Sequence, residues 1–140
     1  MNVDQKKIDE ILANYDKITV IGLSPDGTKP SQRVPLFMKS QGYSLVGVNP
    51  GQREIAGIKI YERLADVPGD YRKFVAVFRR PEFIPDLVDE ILRLGGTEVL
   101  WLQLGITHSE AEHKAQQAGL WVVSDRCLKI EQARKRAAFG

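Results

Sequence analysis

Short runs of consecutive apolar residues alternate along this chain with stretches whose apolar positions recur every three or four residues. The first stretch carries Ile8, Ile11, Leu12 and Tyr15, with Asp4 placed to cap the helix they predict. Residues 17–22 (KITVIG) follow as a buried strand. Ser31 is expected to cap a second helix, with Val34, Phe37 and Met38 inward, Pro35 early enough to be tolerated and Gly42 as the stop. Residues 43–48 (YSLVGV) predict the next strand, and an irregular stretch containing Gly51 and Gly57 leads to a short strand at 58–61. Residues 74–78 (FVAVF) are apolar throughout, as a central parallel strand should be. A helix over about 81–94 is expected to bury Phe83, Leu87, Val88, Ile91 and Leu92, and residues 99–102 (VLWL) predict another strand. Thr107 and Glu110 have capping-box spacing before a helix with Ala111, Ala115 and Ala118 on one face. Residues 120–123 (LWVV) predict the last strand, and a final helix runs from 126 or 127 to about 136.

Strands alternating with helices of this length imply a parallel sheet covered on both faces. The expected fold class is therefore α/β: a Rossmann-like, doubly wound parallel sheet in three layers, α/β/α, with residues 1–140 forming a single domain. The 43% apolar and 27% charged residues are ordinary globular values. A formal charge of +2 gives no reason to expect a nucleic-acid partner, and Lys129, Arg134, Lys135 and Arg136 read as a solvated helix face. The single cysteine, Cys127, leaves no internal disulfide and fits a reducing compartment. The opening MNVDQKKIDEILANY is too polar for a secretory signal, and no apolar run reaches the roughly 18 residues of a membrane span. The expectation is a cytoplasmic protein that engages no membrane.

In an open parallel sheet, ligands bind beyond the carboxyl ends of the strands, where strand order reverses. The strand-end segments here hold glycines, prolines, amides and arginines: Gly22-Leu23-Ser24, Val48-Asn49-Pro50, Phe78-Arg79-Arg80, Gln103-Leu104-Gly105-Ile106 and Ser124-Asp125-Arg126. The turn after Gly22 is too long for a dinucleotide fingerprint, and no G-K-[ST] follows, so it is not a P-loop. The N–H groups of Ser31, Gln32 and Arg33 at a helix start could hold a phosphate, with Arg33 adding charge. At the second strand end Asn49-Pro50 replaces the acidic residue of an NAD site, while Arg53 keeps an NADP-like reading open. Of the two arginines after residue 78, Arg79 is expected to bind phosphate and Arg80 to pair with Glu82 or water. Trp101 and Trp121 are expected in the core, His108 beside a cap, His113 on an exposed helix face and Asp125 as an N-cap. No carboxylate pair, nucleophile–base pair or metal-ligand cluster stands out, so no catalytic residue and no metal are assigned.

Taken in order, ITVIGLS, GYSLVGVNP, IAGIKIY, VAVFRRPEF, VLWLQLGI and GLWVVSDRCLKIE resemble the coenzyme A-binding domain family, which also opens the α subunit of succinate–coenzyme A ligase. The resemblance covers about residues 15–132, the core of the domain. It implies that coenzyme A, or an acyl derivative, lies across the carboxyl edge of the sheet. Gly22, Leu23 and Ser24 would then line its ADP portion through backbone N–H groups, and Ser31, Gln32 and Arg33 would sit near phosphate. Val48, Asn49 and Pro50 would flank adenine or ribose, and Phe78 and Arg79 would contact the nucleotide or the pantetheine arm. Gln103, Leu104, Gly105 and Ile106 would border the arm's exit. The ligase's phosphorylated histidine belongs to a second domain, so the resemblance transfers binding rather than ligase chemistry, and no independent catalytic activity is expected. Cys127 matches a family cysteine and reads either as a thiol able to exchange with the coenzyme or as a buried, unreactive one. Two alternatives compete: an NADP-dependent oxidoreductase, and a regulatory or scaffold module acting with a partner chain. The alanine face and the last helix also suit a homodimer.

Overall fold

A computed structural model describes residues 3–139. Five helices and seven strands alternate: α1 (Gln5–Asn14), β1 (Lys17–Ile21), α2 (Pro30–Ser40), β2 (Ser44–Val48), β3 (Glu54–Ile55), β4 (Ile58–Tyr61), β5 (Phe74–Val77), α3 (Ile84–Leu94), β6 (Val99–Leu102), α4 (Ser109–Gln117), β7 (Trp121–Val123) and α5 (Leu128–Phe139). The sheet order is β3-β4-β2-β1-β5-β6-β7, with every neighbouring pair parallel except the short β3–β4 hairpin. Leaving β3 aside, the parallel strands stand in the order third, second, first, fourth, fifth, sixth, the doubly wound Rossmann arrangement. Strand order therefore reverses between β1 and β5.

The apolar runs explain the centre of this sheet. Every residue of β5 and β6 is buried, because each strand has a neighbour on both sides and helices over both faces. On one face α1, α2 and α5 close over Ile18, Val20, Phe74 and Trp101, while on the other α3 and α4 close over Val75, Val77, Leu100 and Leu102. The one hydroxyl in the middle of β1 is satisfied: Thr19 Oγ1, fully buried, donates to the Tyr71 carbonyl at 2.7 Å. Trp101 stacks on Phe74 with ring centroids 6.0 Å apart, and its indole N–H donates to the Arg126 carbonyl at 2.8 Å.

Several local expectations are corrected. α2 starts at Pro30 with Lys29 in the cap position, so Ser31 lies inside the first turn rather than capping it; the proline ring suits the first helical position. His108, not Thr107, caps α4: its Nδ1 accepts from the Ala111 N–H, and Glu112 rather than Glu110 reaches back to the His108 N–H at 2.7 Å. Ala118 is exposed at the end of α4, leaving Ala111 and Ala115 as its buried face. Residues 81–83 form a separate 3-10 turn before α3, whose deepest residues are Ile84, Val88 and Ile91. Trp121 is 41% exposed on the edge strand β7, where the Lys7 ammonium lies 3.9 Å from its ring centroid. α5 begins at Leu128, two residues beyond Arg126.

Candidate functional site

The reversal point opens into a cleft of about 660 Å³ at the carboxyl ends of β1, β2, β4 and β5. Its floor depends on Gly22. The chain leaves β1 there with φ +85°, and a Cβ would stand 2.5 Å from the Phe78 carbonyl oxygen, so no side chain fits. The Phe78 N–H donates back to Ile21 at 2.9 Å and the Gly22 N–H to Val48 at 3.2 Å. These bonds end three neighbouring strands at one level.

Five of the residues expected at the site meet in this cleft: Gly22, Val48, Asn49, Pro50 and Arg79. Asn49 is turned inward, its Nδ2 donating to the Leu23 carbonyl at 2.8 Å. Arg80 has the partner expected of it. It pairs with Glu82 at 3.0 Å and lies 5.4 Å from the Phe83 ring centroid, whereas the Arg79 guanidinium lies closer over that ring, at 4.1 Å, and lines the cleft. The rest of the lining was not foreseen. Glu62, Arg63, Leu64 and Ala65 enter from the turn after β4, and Phe83, Asp86, Leu87, Glu90 and Arg93 from α3 and the turn before it. Arg63 is paired with Asp66 at 3.4 Å. Alternation on α3 carried a partial signal, since Asp86, Glu90 and Arg93 repeat at helical spacing beside its buried stripe.

The long turn after β1 is internally braced. The Ser24 N–H donates to the Ser31 carbonyl, the Asp26 N–H to Ser24 Oγ at 3.0 Å, and Gln32 Nε2 to the Ser24 carbonyl at 3.0 Å. Thr28 donates both its N–H and its hydroxyl to Asp26, which holds that carboxyl below its usual range, the hydroxyl contributing most. The expected row of free backbone donors is consequently reduced. The N–H groups of Gly22 and Ser24 are engaged within the chain, and those of Gln32 and Arg33 turn back to Lys29. Among the described residues, the N–H groups of Leu23 and Ser31 make no bond within the chain. The Leu23 side chain is fully buried in the core on the α2 side, and Phe78 packs half-buried against the same core.

The remaining candidates stand around the cleft rather than in it. Ser31, Gln32 and Arg33 form the first turn of α2, and Arg53 is exposed just before β3. Past β6, Gln103 is 3% exposed, Leu104 is 63% exposed and Ile106 is half-buried. The Gly105 N–H donates to Asp125 Oδ1 at 2.7 Å, and Asp125 itself adopts φ +56°. Asp125 thus ties the β6 turn to the β7 turn instead of capping α5 as expected. Cys127 is half-buried at the start of α5. Among the described residues, no group of three or more His, Cys, Asp or Glu side chains is arranged to hold a metal ion. No helix among them is long and apolar enough to cross a membrane.

A Rossmann sheet with an open, arginine-bearing cleft at its reversal point has the arrangement in which doubly wound α/β domains bind their ligands. The family follows from comparison: residues 16–133 match the model of the CoA binding domain, and the chain belongs to that family. It is 33% identical over 132 residues to the uncharacterized protein YneT of Bacillus subtilis (strain 168), covering 94% of this chain and 96% of that one. Among solved structures, the Thermus thermophilus protein cell-free ID.343 is 34% identical with a TM-score of 0.85, over 95% of this chain and 99% of its own. A hypothetical protein from Pyrococcus horikoshii OT3 is 32% identical with a TM-score of 0.86, over 96% and 93%.

Proposed function

We propose that this domain binds coenzyme A or an acyl-coenzyme A across the carboxyl edge of its sheet and has no complete ligase chemistry of its own. Membership of the coenzyme A-binding family supports the ligand class. The observation that carries the placement is the convergence of Gly22, Asn49 and Arg79 on one cleft at the strand-order reversal. A flat nucleotide base and ribose suit the space between Asn49-Pro50 and the turn after β4. Arg79, pre-oriented on Phe83, offers a planar cation to a phosphate, the contact for which guanidinium geometry is best suited. The other expected residues, from Ser31 to Arg33 and from Gln103 to Ile106, border the same edge and would meet the parts of the ligand that extend beyond the cleft.

Titration calorimetry with coenzyme A, dephospho-coenzyme A and NADPH tests the proposal. Coenzyme A should bind, and if a guanidinium meets the 3′-phosphate its removal should weaken binding by about 1.5–3 kcal/mol. Binding of NADPH with no binding of coenzyme A at millimolar concentration would replace it with the oxidoreductase alternative.

A further inference from the structure

Arg79 shares its cleft with carboxylates and pairs with none of them. Glu62, Asp86 and Glu90 line the same space, yet among the described residues the Arg79 guanidinium makes no ion pair and no hydrogen bond. What it does meet is the Phe83 ring, 4.1 Å from its centroid. The stem of the side chain is confined on the other side, since Arg79 Cγ lies 3.2 Å from where a Cβ on Gly22 would stand. The ring has a fixed base. Phe83 closes the 3-10 turn Pro81–Phe83, and its N–H donates to the Arg80 carbonyl at 3.0 Å. Pro81 and Pro85 restrict the backbone on either side, and the next residue, Ile84, is fully buried.

The kind of contact decides what the arginine can do next. A carboxylate partner occupies the N–H donors that a phosphate needs, whereas the face of a ring attracts the cation through its quadrupole and leaves those donors open. Arg80, the next residue, has the other arrangement, with its Nε 3.0 Å from a Glu82 oxygen. An exposed ion pair and an exposed ring contact are of similar strength, so loss of the ring is enough to let a carboxylate of the cleft capture Arg79. Resting on the proposed coenzyme A site, we infer that Phe83 is a positioning residue, which keeps the donors of Arg79 unclaimed by Glu62, Asp86 and Glu90 until a phosphate of the ligand arrives. The ring acts through Arg79 and not by touching the ligand.

Calorimetry with coenzyme A on a double-mutant cycle tests this, after the fold of each variant is checked by circular dichroism. Phe83→Leu should lose about fivefold in affinity, and Phe83→Tyr, which keeps the ring face, should stay within about twofold of wild type. In an Arg79→Gln background Phe83→Leu should change affinity by less than about twofold, because the group it acts through is gone. Adding Glu62→Gln, Asp86→Asn and Glu90→Gln together should raise the affinity of Phe83→Leu protein more than that of wild type, since only in the former does a carboxylate hold the arginine. A loss that persists in Arg79→Gln protein would mean that the ring touches the ligand itself and would overturn the inference. So would unchanged affinity in Phe83→Leu, a loss in Phe83→Tyr equal to that in Phe83→Leu, or equal gains from removing the carboxylates. If wild-type protein binds no coenzyme A, the failure lies with the coenzyme A site, and this inference falls with it.

Discussion

Asn49 donates its side-chain N–H to the carbonyl oxygen of Leu23 at 2.8 Å, joining the end of β2 to the turn that follows β1. Asn49 occupies the strand end where an NAD-binding domain presents a carboxylate. A carboxylate has no proton to give this carbonyl, so the amide serves the scaffold as well as the ligand. Asn49→Asp is expected to lower unfolding stability by about 1 kcal/mol and to weaken coenzyme A binding. Urea unfolding followed by calorimetry checks both. A variant that is equally stable would mean the tether contributes nothing.

Gly22 makes a stronger prediction. Alanine there must adopt φ +85° and bring its Cβ to 2.5 Å from the Phe78 oxygen. Backbone strain alone costs about 1–3 kcal/mol, and relieving the clash separates the ends of β1 and β5. Gly22→Ala should unfold at lower denaturant concentration and bind coenzyme A poorly, whereas Gly42→Ala, strained in φ but with open space around its Cβ, should keep its binding.

Arg79 and Arg80 are adjacent in sequence but differ in surroundings. Arg79 faces the cleft over Phe83, and Arg80 pairs at the surface with Glu82. Arg79→Gln is expected to reduce coenzyme A affinity by about tenfold or more, and Arg80→Gln to change it less than about twofold. Calorimetry on the two variants decides, and equal losses would remove Arg79 from the site.

Alkaline pH should unfold the protein through its tyrosines. Burial raises the Tyr43 phenol from 10.0 to about 12; its hydroxyl donates to the Leu12 carbonyl. Tyr15 is also raised to about 12, first by burial and then by its hydrogen bond to Glu98 and that carboxylate's charge. Both folded values lie above the unfolded one, so the stability they contribute is whole below pH 10 and is lost as pH rises towards 12. Urea unfolding between pH 8 and 12 should show this decline. In Tyr15→Phe/Tyr43→Phe protein the decline should be shallower, from a lower starting stability; an unchanged slope would assign it to other groups.

Much of this architecture was legible in the chain itself. Apolar runs such as FVAVF and VLWL gave the central strands because a strand covered on both faces needs no polar alternation. The strand-end rule located Gly22, Asn49, Pro50 and Arg79, since backbone direction alone brings those residues to one edge. The far wall of the cleft was not legible. Glu62, Arg63, Asp86, Glu90 and Arg93 line it through the way α3 packs beside the turn after β4, a tertiary relation that no local pattern encodes. Caps failed for a related reason: Ser31 and Thr107 have suitable side chains, but Pro30 moved the start of α2 two residues earlier and the Glu112–His108 bond moved that of α4 one residue later. Trp121 is apolar in an apolar run, yet β7 has no outer neighbour to bury it.

The most direct test of the central claim is a crystal structure of the protein grown with coenzyme A. The account predicts the adenosine phosphate portion between Asn49-Pro50 and Arg79, with the arm crossing the sheet edge towards Gln103. Ligand bound instead at the amino ends of the strands, or a cleft that stays empty at saturating coenzyme A, would contradict it.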